Sequence, residues 1–259
     1  MKVLYKNALI LTQNQSREFF KSGFVSVVDG YISDVGIETP EDTVFDQVIN
    51  LEGKWLLPGF VNSHVHLGES VYFPFINKKL SLSGYLERTE ELYVSNEEIG
   101  KKRDLVCKFS LYQLIRNGVT AIGGGRVTET ATEFQIPNTS GYMLMNSAKL
   151  GHFSSNAHDN FLKTKNEEDN ILNRHCIFIH SLSRIGKDEI DVVKKLKHEL
   201  HDLMVMIHVE EDESESNIVR EKWGSSSIQV LENEGILDSK TFLIHGNYLS
   251  DSDLDIIAN

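Results

Sequence analysis

The sequence predicts an α/β protein, a parallel sheet covered by helices and preceded by a small all-β unit. Three observations carry this. From residue 58 onward six apolar runs, GFVNSHVHL, VTAIGGG, GYMLMNS, CIFIHSL, LMVMIHVEE and TFLIHGNYL, follow one another with helical stretches between most of them. Strands that are apolar throughout and alternate with helices belong to a sheet buried on both faces. Residues 1–57 instead read as short strands separated by turns: VLYKNALILT, FVSVVDGYISDVG and QVINLEGKWLLP. Finally, four histidines, His66, His180, His208 and His245, fall at or beside the carboxyl ends of the predicted strands.

Each element has a local reason. Asp29-Gly30 sits between alternating apolar runs and marks a hairpin, because glycine accepts the positive φ of a two-residue turn. A helix over 96–117 opens on Ser95-Asn-Glu-Glu98, a capping-box pattern, and stops at Gly118. A helix over 187–200 places Ile190, Val193, Leu196 and Leu200 on one face. Gly123-Gly124-Gly125 lacks the spacing of a dinucleotide-binding turn, so a mobile loop is expected there. The acidic run Glu210 to Glu215 is too short for a tail, and Glu210 reads as part of a solvated loop. An α/β barrel and an open doubly wound sheet both satisfy this pattern.

Composition narrows the function. The 259 residues are 40% hydrophobic and 25% charged, with a net charge of -12, which argues against nucleic-acid or anionic-membrane partners that draw affinity from clustered Lys and Arg. A small molecule or another protein is the expected partner. No run of about 18 apolar residues appears, and Lys6 and Asn7 interrupt the amino terminus before a signal-peptide core could form; a cytoplasmic location is expected. Cys107 and Cys176 lie far apart without a CxxC pattern, so two buried thiols are expected rather than a disulfide or a cysteine zinc site.

His64 and His66 end the first apolar run. Side chains two apart on a strand share a side, so both imidazoles can bind one cation, and neutral imidazole suits zinc, iron and nickel. His198 and His201 fall on the polar side of their helix and are expected in solvent. Glu211, three residues after His208, lies where a carboxylate reaches a metal-activated water; a bound divalent ion lowers the pKa of that water to about 7 while the carboxylate shuttles the proton.

LLPGFVNSHVHL, IHSL, IHVEE and LIHGNYLSDSDLDIIA together resemble the amidohydrolase superfamily, in the aminohydrolase branch that includes adenosylhomocysteine and methylthioadenosine deaminases, guanine deaminase and the triazine chlorohydrolases. The resemblance runs through the whole chain, and the opening β segment looks like the small sandwich beside the barrel in such proteins. It implies an incomplete TIM-type (β/α) barrel over residues 58–259 with an N-terminal β-sandwich portion over 1–57. By the same similarity His64, His66 and His208 would hold one divalent metal, zinc ahead of iron. Glu211 would be the proton shuttle, and His245 would steady the attacking hydroxide or join the ligands. His180 and Glu69 would contact substrate. The implied reaction is hydrolysis at a non-peptide C–N bond, deamination of an amino-substituted N-heterocycle.

Three departures stand beside this resemblance. Nucleoside-type relatives place a Glu before an aromatic residue after the HxH, where SLSGYLER has Gly84 before Tyr85. Their third strand usually ends in Arg, which GYMLMNSAKLG lacks; an adenosine-like substrate is therefore not expected. About six of eight barrel strands are present, and the metal-binding aspartate of the eighth has no counterpart. A whole barrel takes about 250 residues. Expectation is thus divided between a second polypeptide or further copy completing the barrel, a catalytically incomplete homologue acting as a binding or scaffolding subunit, and a piece of a longer enzyme.

Overall fold

A computed structural model describes residues 1–40, 44–76, 78–125, 127–147 and 156–259. The chain divides into two compact units, Met1–Phe60 and Val61–Asn259. The first holds β1 (Lys2–Leu11), β2 (Phe19–Val28), β3 (Tyr31–Gly36), β4 (Gln47–Asn50) and β5 (Trp55–Leu56). These form one mixed sheet in the order β3-β2-β1-β4, with β5 also pairing β1. Asp29 and Gly30 join β2 to β3 with φ of 50 and 87, the paired positive values of a two-residue hairpin turn. Ala8, Ile10 and Val25 bury together beneath Phe20, Leu51 and Leu56.

β6 (Phe60–Asn62) spans the boundary, and the second unit goes on with two single turns of 3-10 helix at Glu69–Val71 and Phe73–Phe75. It continues with α1 (Leu82–Ser95), α2 (Glu97–Arg116), β7 (Val119–Gly123), α3 (Thr128–Glu133), β8 (Asn138–Leu144) and α4 (Ala157–Glu168). Last come β9 (Asn173–Ile179), α5 (Lys187–Glu199), β10 (Val205–Val209), α6 (Glu213–Trp223), α7 (Ser227–Asn233), β11 (Thr241–His245) and α8 (Asp251–Ala258). The sheet order is β11-β10-β9-β8-β7-β6, and β7 through β11 pair in parallel. A curled parallel sheet of six sequential strands, each but the last linked to the next by helix, is an incomplete TIM-type barrel. The stretch of GYMLMNSAKLG from residue 148 lies outside the described residues.

Strand alternation separates two apolar layers. Ile177 and Ile179 of β9 and Val205, Ile207 and Val209 of β10 pack with Ile190, Val193 and Leu196 of α5. Cys176, Phe178, Met206 and Ile244 form the opposite layer. Fully burying a side chain of this size contributes about 1.5–3 kcal/mol. His180 and His208 continue the Cys176–Phe178 and Met206 phase, so the strand register itself turns them toward the second layer.

Several local expectations change on contact with the tertiary structure. Ser95 is the last residue of α1, and the cap of α2 is Asn96, whose side chain accepts from Glu98 N; the junction between the helices leaves that role to the one residue with extended backbone. The triple glycine is packed against neighbouring segments and is not an open loop. A Cβ on Gly123 would lie 2.4 Å from Ser63 O and one on Gly124 2.5 Å from Val65 O, so glycine there permits close backbone approach to the segment after β6. Glu210 is fully buried, held by Ser227 N at 2.9 Å and by Arg220 at 3.3 Å. A solvated loop is ruled out because the β10–α6 turn folds inward over α7. Cys176 is buried, whereas Cys107 is only half-buried.

Candidate active site

The histidines gather at the carboxyl ends of the strands. His64 and His66 follow β6, which ends at Asn62, so the pair is carried by an irregular extension of the strand. Val65 N donates to Gly123 O at 2.9 Å and keeps that extension in phase with β7. His64 Nε2 lies 2.9 Å from His66 Nε2 and 3.1 Å from His208 Nε2. Among the described residues, His64, His208 and His245 each offer a donor atom, all within 4.8 Å of one another. His66 therefore touches His64 without belonging to that mutual triple.

His245 reaches the group by breaking strand geometry. Its neighbour Ile244 pairs with His208 across β10 and β11, and strict alternation would send His245 the other way. Its φ of 78 lies in the left-handed region, a conformation costing about 1–3 kcal/mol outside glycine. The ring ends 5.2 Å from that of His208, interplanar angle 26°. The following loop is held by Gly246 N to Val209 O and Asn247 N to Glu210 O, both 2.9 Å.

Protons are distributed to leave lone pairs inward. His208 Nδ1 donates to the His180 carbonyl at 2.7 Å, so in the neutral ring Nε2 faces His64 with its lone pair free. Burial, followed by the neighbouring His180, His66 and His64, holds His208 down to about 2. Burial likewise lowers His64 to about 4 and His180 to about 3. His64 Nδ1 is buried without a partner. One neutral imidazole cannot satisfy both neighbouring nitrogens, whichever of its own carries the proton. A cation between the Nε2 atoms would satisfy those three together. Two ligands 2.0–2.1 Å from one tetrahedral ion stand roughly 3.3 Å apart, close to the observed spacings, so the donor set fits a divalent metal.

Two carboxylates flank the rings. Glu211 Oε2 is 3.5 Å from His245 Nε2, and burial, then Asp212, raises its pKa. On the other side Glu69 Oε1 is 3.9 Å from His66 Nδ1, while Glu69 Oε2 accepts the Tyr85 hydroxyl at 2.6 Å. Tyr85 escaped the sequence reading, which used SLSGYLER only for the residue before it; an aromatic hydroxyl carries no periodic signal. Asp212 was missed too, although Asp-x-x-Glu215 before an apolar periodic run is a legible N-cap. His198 and His201 are exposed, away from the site.

Glu215, in the first turn of α6, is 5% exposed, and its carboxylate meets only a weak contact with the Glu211 amide. Burial, then Glu210, raises its pKa from 4.5 to about 7. A raised folded-state value means the associated stability is fully present below the unfolded pKa of 4.5 and lost as pH rises through about 7. His175, buried and lowered to about 4 from 6.5, runs oppositely: stability is present above 6.5 and lost as pH falls toward 4. Glu215→Gln is therefore expected to raise the melting temperature at pH 8 but not at pH 5, leaving the acid limb unchanged. Equal shifts at both pH values in a thermal melt would contradict the assignment.

Parallel strands, a curled sheet and imidazoles converging at the strand carboxyl ends define a (β/α)-barrel protein with a histidine-lined mouth. The chain belongs to the amidohydrolase family, whose model matches residues 55–259. It is 25% identical over 266 residues to a 5-methylthioadenosine/S-adenosylhomocysteine deaminase of Clostridium tetani, covering 99% of this chain and 60% of that protein. A Bacillus anthracis protein of the same name is 26% identical, with 100% and 61% covered. The chain thus spans about three fifths of the length of these curated relatives. Two solved structures share the fold. An atrazine chlorohydrolase of Arthrobacter aurescens complexed with zinc superimposes with a TM-score of 0.85 at 16% identity, covering 99% of this chain and 63% of that one. The guanine deaminase of C. acetobutylicum with bound guanine gives 0.82 at 18%, covering 100% and 65%. No helix among the described residues is long and apolar enough to cross a membrane.

Proposed function

We propose that this chain carries most of the site of a metal-dependent hydrolase that deaminates an amino-substituted N-heterocycle, a small-molecule substrate, in the cytoplasm. The single observation that carries the reading is the meeting of imidazole nitrogens from β6, β10 and β11, with the His208 proton directed away from the meeting point. The names of the relatives, deaminases of a nucleoside and of guanine, support the reaction class. His64, His66 and His208 would hold a divalent ion, zinc ahead of iron, with His245 joining them or steadying the attacking water. Such an ion supplies activation of water at neutral pH. Glu211, its pKa raised by burial, would hold the shuttled proton and deliver it to the ring nitrogen or departing ammonia. His180 and Glu69 contact the heterocycle, Glu69 with one oxygen already occupied by Tyr85. Gly84 offers no side chain to grip a ribose, which favours a base over a nucleoside.

The proposal includes completion of the barrel by a second polypeptide or a further copy. The second reading is a catalytically incomplete homologue that binds or scaffolds, its histidine mouth holding no ion. Metal analysis of the purified protein after growth in zinc or iron separates them: about one retained equivalent is expected, and none would favour the scaffold. An ammonia-release screen over guanine, an amino-triazine and 5-methylthioadenosine follows. Turnover of the nucleoside alone would overturn the preference for a base.

A further inference from the structure

Asp212 caps α6 and also accepts from the first amide of α1, whose own N-cap is Ser81. Its Oδ1 accepts from Glu215 N at 2.8 Å, closing the first turn of α6. Its Oδ2 accepts from Leu82 N, 130 residues away, at 2.9 Å, at the start of α1. The two helices follow different strands, so a single carboxylate ties the loop after β10 to the loop after β6. Burial opposes the charge, yet the amide bonds of Glu215 and Leu82 outweigh it and the pKa is lowered; the clamp is a carboxylate at neutral pH. Each residue next in line matters. Glu211 precedes Asp212 and stands 3.5 Å from His245. Tyr85, in the first turn of α1, holds Glu69, which stands 3.9 Å from His66.

We propose that Asp212 is a positioning residue: by capping α6 while holding the first amide of α1 it sets the two acidic side chains on opposite flanks of the histidine cluster, Glu211 directly and Glu69 through Tyr85. The inference rests on the metal-site reading for its consequence but not for its geometry. An ordinary N-cap stabilises one helix. This one makes the order of two distant loops interdependent, because either helix can shift only by leaving a charge-assisted bond unmade.

The test uses the full chain and Co2+ as probe. In Asp212→Ala, amide exchange should speed up roughly fivefold or more in both segments, 82–88 and 213–219, as expected for a lost N-cap at α6 and a lost charge-assisted bond to the first amide of α1. Asp212→Asn, which keeps one carbonyl oxygen, should restore protection to one segment only. Co2+ affinity measured by chelator competition should fall roughly tenfold in both Asp212→Ala and Tyr85→Phe, within the range seen when groups behind metal ligands are removed. The double variant should fall scarcely further, since both changes cut the same strap. Loss of protection confined to 213–219, or additive losses of Co2+ affinity, would overturn the proposal. A wild-type chain that takes up no Co2+ would overturn the metal reading instead, and the exchange result alone would then decide the clamp.

Discussion

Replacing His208 with alanine is expected to reduce retained zinc from about one equivalent to almost none, a loss of affinity of at least about 100-fold, beyond that caused by removing a group behind a ligand. The ring stands at the centre of the cluster. It contacts His64 through Nε2 and stacks on His66 with centroids 5.4 Å apart. Only 4% exposed, it sits on a strand in which every residue is buried, so no neighbour on that strand offers a replacement ligand. Alanine also leaves the His180 carbonyl without its donor, a cost of about 1–3 kcal/mol for a buried acceptor. His208→Gln retains an amide donor and guards against the variant simply failing to fold. His198→Ala, on the exposed face of α5, should keep its metal. Unchanged metal in a folded His208→Ala protein would show the ligand assignment to be wrong.

Gly141→Ala is the second large effect, and it needs no ligand. Gly141 of β8 pairs with Cys176 of β9, and a Cβ there would sit 2.0 Å from Cys176 O and 2.7 Å from Cys176 N. Backbone cannot rotate away as a side chain can, so β8 and β9 must part at the centre of the sheet. We expect a loss of about 3 kcal/mol or more, against the 5–15 kcal/mol typical of a whole domain. It would appear as a lower urea midpoint at unchanged slope. Gly100→Ala is the control. On α2, nothing stands within 4 Å of the added methyl, and alanine in a helix should stabilise by about 0.5–1 kcal/mol. If Gly141→Ala behaves like Gly100→Ala, the close approach is not real.

The two substitutions also show how unevenly the site could be read beforehand. His208 was legible because a strand announces itself by its apolar run and a residue near its end is placed by counting. Gly141 lies in an equally plain strand, yet nothing in GYMLMNS says which neighbour's backbone comes within 2.0 Å. Glu211 and Glu210 are adjacent and chemically identical. One stands against His245 and the other is sealed beneath Arg220 and the start of α7, a difference created by a left-handed turn at Glu210 with φ of 47.

By itself the sequence determined what depends on near neighbours: the hairpin at Asp29-Gly30, the six strands and their order, the apolar face of α5, and the placing of four histidines near strand ends. Those follow from side-chain alternation, helical periodicity and the φ preference of glycine, which act over a few residues. Only the tertiary structure decided which nitrogens meet, on which nitrogen His208 carries its proton, that His245 turns back toward the cluster, and that one carboxylate bonds the first turns of two helices, joining residues 130 apart. Those depend on desolvation and on close approach between distant segments, and neither is a function of local sequence.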